Sequence, residues 1–99
     1  MVNTPQIEKQ NSQTWNVYIV RCRDNSCYTG ITTDIQRRLI EHNSPRGGAK
    51  YTRARQPVAL IYHEQVSSRS AAAKREHQIK QMSHSAKEAL ADSDKTLKQ

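Results

Sequence analysis

The chain has 99 residues, enough for one small domain, and its 16 lysines and arginines outweigh 9 acidic residues to give a net charge of +7. This excess favours a polyanionic partner, above all nucleic acid. No stretch approaches the roughly 20 apolar residues of a membrane span, and the N-terminus lacks the apolar core of a signal peptide. We therefore expect a cytoplasmic protein without a membrane partner. Residues 1–14 and 92–99 are polar and aperiodic, which predicts frayed tails around a folded part at 15–91.

The first predicted elements form a β-hairpin. Residues 15–21 are rich in aromatic and β-branched residues, and alternation puts odd-numbered residues on one face and even-numbered residues on the other. Asp24 and Asn25 supply the turn, and residues 27–31 return as a second strand. With the turn centred near Asp24, Tyr18 and Tyr28 are expected to lie roughly opposite each other.

A helix is predicted directly after this hairpin. Gly30 is expected to end the second strand where the chain bends, since glycine brings no Cβ into the bend. Thr33 and Gln36 form a capping-box pattern, so the helix should start at Thr33 and end near Asn43. Ile35 and Leu39 would form its buried stripe.

The second half of the chain predicts one more strand and two more helices. Residues 45–56 read as a loop and residues 58–64 as the third strand. A helix capped by Ser68 or Ser70 would run to about Met82, and a capping box of Ser85 and Glu88 would open a short last helix. The predicted order β-β-α-β-α-α defines an α+β fold.

Glu76 is the most unusual acidic residue of the chain. It lies four residues after Ala72 and three before Ile79, so its carboxylate falls on or beside the core face of its helix. A carboxylate there costs free energy unless it is paired or binds a metal. The alternative is a boundary residue that reaches solvent or pairs with Lys80 one turn on.

Arg38 and His42 share a face of the first helix because they lie four residues apart. A guanidinium group matches phosphate oxygens, so Arg38 is a candidate for anion binding. Each residue also has an ordinary explanation, as a surface charge or a hydrogen-bonded histidine, and Tyr18 and Tyr28 are common strand residues.

Residues 50–55 interleave a tyrosine with cations, which suits a groove that follows a nucleic-acid backbone and offers a ring for stacking. Such contacts tolerate any base sequence. The alternative is a solvated, solubilising face. The predicted nucleic-acid contacts are Arg37, Arg46, Lys50, Tyr51, Arg53, Arg55 and Lys80.

The two cysteines, Cys22 and Cys27, flank the predicted turn. In a reducing compartment they are expected to be half-buried thiols. They do not predict a zinc site, because a second ligand pair is missing. His63, His77 and His84 show no clear ligand spacing with one another and are expected at the surface or at its boundary with the core.

Together these residues resemble the GIY-YIG nuclease family. Residues 16–18 (Asn-Val-Tyr) stand where the family has Gly-Ile-Tyr, and residues 28–30 (Tyr-Thr-Gly) stand where it has Tyr-Ile-Gly. Arg38, rather than Arg37, occupies the position of the family's catalytic arginine, and His42 matches a histidine of several members. The segment around Glu76 is similar to the family's metal-binding helix. The resemblance covers about residues 15–91.

The resemblance implies a three-stranded antiparallel sheet flanked by helices, and DNA cleavage with one Mg²⁺ or Mn²⁺ ion held by Glu76. Tyr18 or Tyr28 would take a proton from the attacking water, Arg38 would stabilise the phosphate charge, and His42 would orient a tyrosine or assist proton transfer. Branched, damaged or single-stranded DNA is the expected substrate, with RNA as an alternative and a protein partner for targeting. The rival hypothesis is a non-catalytic nucleic-acid-binding module of the same fold.

Overall fold

The computed structural model describes residues 14–98, with side chains described for 14–93. The predicted N-terminal tail therefore lies outside the described residues, apart from Thr14. The described elements are β1 (Trp15–Arg21), β2 (Cys27–Thr32), α1 (Ile35–His42), α2 (Lys50–Arg53), β3 (Ala59–Val66), α3 (Arg69–Lys80) and α4 (His84–Lys98).

The three strands form one antiparallel sheet in the order β2-β1-β3. The predicted α+β fold and the antiparallel sheet are confirmed. The order of elements differs by one addition, because the segment expected to be a loop contains the short helix α2. No helix in the described range 14–98 is both long and apolar enough to cross a membrane.

The register of the β1–β2 hairpin corrects the expected placement of the two tyrosines. The hairpin is centred on Asp24, and this centre pairs Tyr18 with Gly30 and Val20 with Tyr28. Tyr18 and Tyr28 are therefore diagonal neighbours on one face of the sheet, not direct partners. The turn is closed by an Asp24 carboxylate that accepts from the Ser26 N–H at 3.0 Å.

The sheet separates two clusters of buried side chains, as the alternation along β1 predicted. One face carries what we call the apolar cluster, which packs residues of the sheet against α3 and α4. Its buried members are Val17, Ile19, Tyr62, Ala72, Ile79 and Ala91. The other face carries what we call the tyrosine cluster, with Tyr18, Val20, Cys22 and Val58 buried and the predicted stripe of α1, Ile35 and Leu39, packed against it.

The first helix begins one residue later than the capping-box pattern predicted. Asp34 is the N-cap of α1, and its carboxylate accepts from the Arg37 N–H at 3.0 Å. Thr33 is exposed, while the hydroxyl of Thr32 accepts from the Asp34 N–H at 3.1 Å. The carboxylate therefore takes the capping role from Thr33, whereas the predicted end at Asn43 is correct.

The last two helices are also capped by serines. Ser68 caps α3, as one of the two predicted candidates. The hydroxyl of Ser83, not Ser85, accepts from the Ala86 N–H at the start of α4. Glu88 pairs with Arg21 of β1 instead of completing a capping box. The helix is not short, because it has 15 residues and continues past residue 91 to Lys98.

Candidate active site

A chain of hydrogen bonds joins the sheet to two helices on the tyrosine-cluster face. The Tyr18 hydroxyl lies 2.7 Å from His42 Nε2, and His42 Nδ1 lies 2.8 Å from the Thr52 hydroxyl oxygen. All three side chains are buried, His42 and Thr52 completely. Each comes from a different element, because Tyr18 lies in the central strand β1, His42 ends α1 and Thr52 lies in α2.

The direction of these bonds follows from the single proton of the Thr52 hydroxyl. That hydroxyl donates to the backbone oxygen of Ala49 at 3.0 Å, so its oxygen accepts from His42 Nδ1–H. With Nδ1 protonated in the neutral ring, Nε2 carries the lone pair and accepts the Tyr18 hydroxyl proton. The Tyr18 phenol is therefore the donor, and His42 Nε2 the acceptor, of this hydrogen bond.

Burial sets the protonation states of His42 and Tyr18. Desolvation, and to a lesser extent the positive charge of Arg38, lower the pKa of His42 to about 4. Desolvation also raises the pKa of Tyr18 above its ordinary value, while Arg38, by hydrogen bonding and by its charge, partly offsets this effect. Both side chains are consequently neutral at pH 7, which removes the cost of a buried charge.

Two glycines make room for this arrangement. A Cβ at Gly30 would come within 2.5 Å of the Tyr18 hydroxyl oxygen, because Gly30 lies opposite Tyr18 in the hairpin. Gly30 thus lies within β2 and does not end it. Because glycine has no side chain, the Tyr18 ring can lie directly over the backbone of β2 at this position. Gly48 has a φ of +73°, and a Cβ there would meet His42 Cα at 2.6 Å. This second glycine allows the chain to cross closely over His42 and to bring α2 beside it.

Arg38 and Arg37 have different surroundings, although they are adjacent in α1. The Arg38 side chain is 31% exposed, pairs with Glu41 at 2.9 Å and lies close enough to Tyr18 to influence its pKa. The Arg37 side chain is 66% exposed, and its contact with Glu41 is long, at 3.9 Å. Arg38 is therefore the arginine that faces the site, as the family resemblance implied.

Tyr28 connects the buried chain to the surface. Its ring meets the His42 ring edge-on, with centroids 5.3 Å apart, and stacks on Tyr51 at 6.1 Å. The guanidinium of Arg55 lies 3.9 Å from the Tyr51 ring centroid. Tyr28 and Tyr51 also line an open cavity of about 260 Å³ beside Lys80. The tyrosine expected to offer a stacking surface therefore already contacts another ring and a cation.

Glu76 brings a negative charge to the same region from α3. Its side chain is 23% exposed and pairs with Lys80 at 3.2 Å. Its charge is near enough to raise the pKa of Tyr18. The salt bridge that the sequence left as an alternative is thus present, and the carboxylate is also half-buried.

The surroundings of Glu76 suit a hard divalent ion. Among the side chains described in residues 14–93, it does not belong to any group of three potential metal ligands. Mg²⁺ commonly binds one or two carboxylates and completes its shell with water and substrate phosphate. A single half-buried carboxylate, such as that of Glu76, fits that requirement.

The remaining predicted contacts lie along the surface at α1, α2 and α3. Lys50, Tyr51, Arg53 and Arg55 line an open groove of about 630 Å³. Arg55 also bonds to Asp24 and to the backbone oxygen of Tyr51. Arg46 is exposed between α1 and α2 and is not one of the residues that line this groove.

Thr52 is the site residue that sequence reasoning missed. It lies in a helix of four residues, too short to show a 3.6-residue period. Nothing in its basic segment, residues 50–55, singles out this hydroxyl as a buried one.

Comparison with known proteins identifies the class to which this fold and site belong. The sequence model of the GIY-YIG catalytic domain matches residues 14–89. The chain therefore belongs to the GIY-YIG nuclease family, and the resemblance seen in its motifs is confirmed.

Within this family, the chain is similar to small proteins labelled UPF0213. A UPF0213 protein of Desulfotalea psychrophila is 51% identical over 90% of this chain and 81% of its own length. One of Halobacterium salinarum is 53% identical over 76% of this chain and 96% of its own.

Two solved structures resemble the fold. The solution structure of a UPF0213 protein from Bacillus halodurans has a TM-score of 0.51 at 42% identity, covering 80% of this chain and 83% of that one. The solution structure of a protein from E. faecalis has a TM-score of 0.59 at 39% identity, covering 87% and 91%.

Proposed function

We propose that the protein is a divalent-metal-dependent endonuclease that hydrolyses phosphodiester bonds of DNA in the cytoplasm. The observation that carries this proposal is the buried chain from Tyr18 through His42 to Thr52, flanked by Arg38 and Glu76. Membership of the nuclease family supports a nucleic-acid substrate. The net charge of +7 supports a polyanion as well.

Tyr18 acts as the base that activates water. As the water oxygen attacks phosphorus, the Tyr18 oxygen takes a proton from the water while its own hydroxyl proton passes to His42 Nε2. The resulting imidazolium keeps its Nδ1–H on the Thr52 hydroxyl, so the ring does not rotate during the transfer. This path avoids a free phenolate, which burial of Tyr18 disfavours, and the negative charge of the attacked phosphate offsets the imidazolium, which burial of His42 also disfavours.

Arg38 and Glu76 act on the phosphate side of the reaction. Arg38 donates from its guanidinium to the phosphate oxygens, where charge grows in the transition state. Glu76 would hold one Mg²⁺ or Mn²⁺ ion, and the chemistry that this ion would supply is positive charge near the phosphate. Lys80, the partner of Glu76 in the free protein, then becomes available to contact DNA.

The groove beside α2 holds the substrate backbone. The cations that line this groove come from the four-residue helix α2 and the residues directly after it. Among the described residues, no strand and no long helix lines the groove, so we expect contacts with the DNA backbone and not with base edges. Selection by DNA structure or damage, or by a partner protein, follows from this contact with the backbone. Arg37 of α1 and Arg46, between α1 and α2, are exposed and add further positive charge.

The test is cleavage of labelled single-stranded, duplex and branched DNA in the presence of Mg²⁺ or Mn²⁺. Glu76→Gln removes the negative charge without changing the side-chain shape. Glu64→Gln is the matched control, because Glu64 is equally half-buried at 24% exposure and ion-paired with Arg75 at 2.8 Å, but it lies outside the site. We expect metal-dependent cleavage by the wild type and by Glu64→Gln, and none by Glu76→Gln.

The same samples measure DNA binding at low and moderate salt. Equal cleavage by Glu76→Gln and the wild type would disprove the assignment of the metal ligand. Salt-dependent binding without cleavage in all three proteins would instead establish the non-catalytic binding module.

A further inference from the structure

A second group of metal-binding side chains lies away from the Tyr18 site. Cys27 begins β2, and His84 and Glu88 lie one turn apart at the start of α4. One ligand atom from each, the Cys27 Sγ, a His84 ring nitrogen and a Glu88 carboxylate oxygen, lies within 4.8 Å of the other two. Among the side chains described in this structure, no other three cysteine, histidine, aspartate or glutamate residues come so close.

We propose that these three side chains form a zinc site, separate from the ion expected at Glu76. Thiolate, imidazole and carboxylate are the ligands that zinc takes in proteins, whereas magnesium requires a set of oxygens. Three protein ligands leave the fourth tetrahedral position to water. When the ion binds, the Cys27 S–H bond breaks and its proton passes to solvent, since the thiolate is the metal ligand.

The group is already ordered by neighbouring charges. His84 Nε2 lies 3.3 Å from the Glu88 carboxylate, and Arg21 donates to both carboxylate oxygens, from Nε at 3.1 Å and from a terminal nitrogen. An ionised carboxylate has about four lone-pair positions, so a carboxylate can accept from an arginine and bind a metal at the same time. Arg21 would then hold the ligand in orientation and cancel one of the two negative charges of the site.

The same contacts also describe a simple salt-bridge network of Arg21, Glu88 and His84. In that case the thiol of Cys27 is only a neighbour, and no ion is bound. The two explanations differ in whether Cys27 forms a bond to the metal, and this difference determines the experiment.

A zinc ion here would connect β2 to α4, two elements far apart in sequence. Cys27 directly precedes Tyr28, and both residues line the same cavity as Lys80. The bound ion would thus hold the strand segment next to the candidate active site. The exposed His84, with 49% of its side chain accessible, gives the ion a path from solvent.

The test uses Co²⁺ as a spectroscopic substitute for zinc, added to the reduced full-length protein in metal-free buffer. We expect one equivalent to bind and to give the near-ultraviolet absorption of a cobalt–thiolate bond, which Zn²⁺ abolishes and excess Mg²⁺ does not. Cys27→Ser should lose this absorption, and His84→Ala should weaken cobalt binding at least tenfold. The matched controls are Cys22→Ala and His77→Ala, which change the other thiol and another exposed histidine.

A second measurement follows thermal unfolding, because an ion that binds the folded state raises Tm. Zinc should raise the Tm of the wild type and of Glu76→Gln, but not that of His84→Ala. The proposal is overturned if the wild type gives no cobalt–thiolate absorption, or if Cys27→Ser keeps it. Neither the cobalt–thiolate absorption nor the change in Tm depends on DNA cleavage. The zinc site and the proposed nuclease activity are therefore tested independently.

Discussion

The two faces of the central strand differ in what they bury. The apolar cluster contains aliphatic side chains and one tyrosine under α3 and α4. The opposite face buries His42 and Thr52 completely, and both are satisfied by hydrogen bonds. Aliphatic burial contributes most of the stability of a small domain, whereas a buried hydrogen bond contributes little net stability and much geometry. One face therefore holds the fold together, and the other holds the hydrogen-bonded side chains of Tyr18, His42 and Thr52 in position.

The largest loss of stability is expected from Ile79→Ala in the apolar cluster. Ile79 is completely buried, so its truncation should lower the free energy of unfolding by about 2–5 kcal/mol through lost burial and the cavity left behind. Denaturant unfolding measures the change. The exposed Ile40, truncated to alanine in the same way, is the control and should cost much less. Equal losses in the two variants would mean that the apolar cluster does not dominate stability.

A somewhat smaller loss of stability is expected at acidic pH, because of His42 on the tyrosine-cluster face. The pKa of His42 is about 4 in the folded state, because burial disfavours its charged form, and 6.5 is the ordinary value. Below pH 6.5 the unfolded chain binds a proton that the folded protein excludes, so stability is full above pH 6.5 and falls toward pH 4. This loss amounts to at most about 3 kcal/mol.

Unfolding of the wild type and of two variants across this pH range tests the source of the loss. His42→Gln can still accept from Tyr18 and donate to Thr52 but does not titrate, so its profile should be flatter. His63→Gln, at an exposed position, should keep the wild-type profile. A profile unchanged in His42→Gln would assign the acid sensitivity to other groups.

The role of Thr52 is tested by a pair of variants. Thr52→Val keeps the shape but leaves His42 Nδ1–H without its acceptor, which should cost about 1–3 kcal/mol of stability. The ring is then free to change tautomer, so cleavage should fall at least about tenfold. Nitrogen NMR of the imidazole identifies the tautomer directly. Thr52→Ser should restore both the Nδ1–H form and the rate, and failure to do so would limit Thr52 to a packing role.

The smallest effect is expected at Thr29, which faces the apolar side of the sheet opposite Ile19. Its hydroxyl is buried without a hydrogen-bond partner. Thr29→Val removes this unsatisfied group and should raise the free energy of unfolding by about 1 kcal/mol. Thr32→Val is the matched control and should destabilise, because that hydroxyl bonds to the Asp34 N–H. A loss of stability in Thr29→Val would show that the hydroxyl has a partner in solution.

The sequence predicted those parts of the site that local patterns encode. Strand alternation placed Tyr18 on the face opposite Val17, and helical spacing placed Glu76 beside the core and Arg38 with His42. Each of these positions depends on residues close in the chain, so a period of 2 or 3.6 is enough to find it.

The parts that the sequence did not predict depend on distant contacts. The bond from His42 to Thr52 requires the close crossing at Gly48, which no period reveals. The spacing of Ser85 and Glu88 predicted a capping box, whereas Glu88 forms an ion pair with Arg21 of the sheet. Gly30 resembled the end of a strand, whereas its absent side chain makes room for the Tyr18 ring across the hairpin.

The turn at residues 22–26 has a consequence for how sequences of this family can change in length. Successive residues of β1 belong to opposite faces, so the loss of a single turn residue would shift the hairpin register and exchange the two faces relative to β2. Tyr18 would then lose its place over Gly30. The Asn25 residue, with a φ of +71°, belongs to the short segment that prevents this slip. The turn thus acts as the spacer that decides which residues of β2 lie opposite Tyr18.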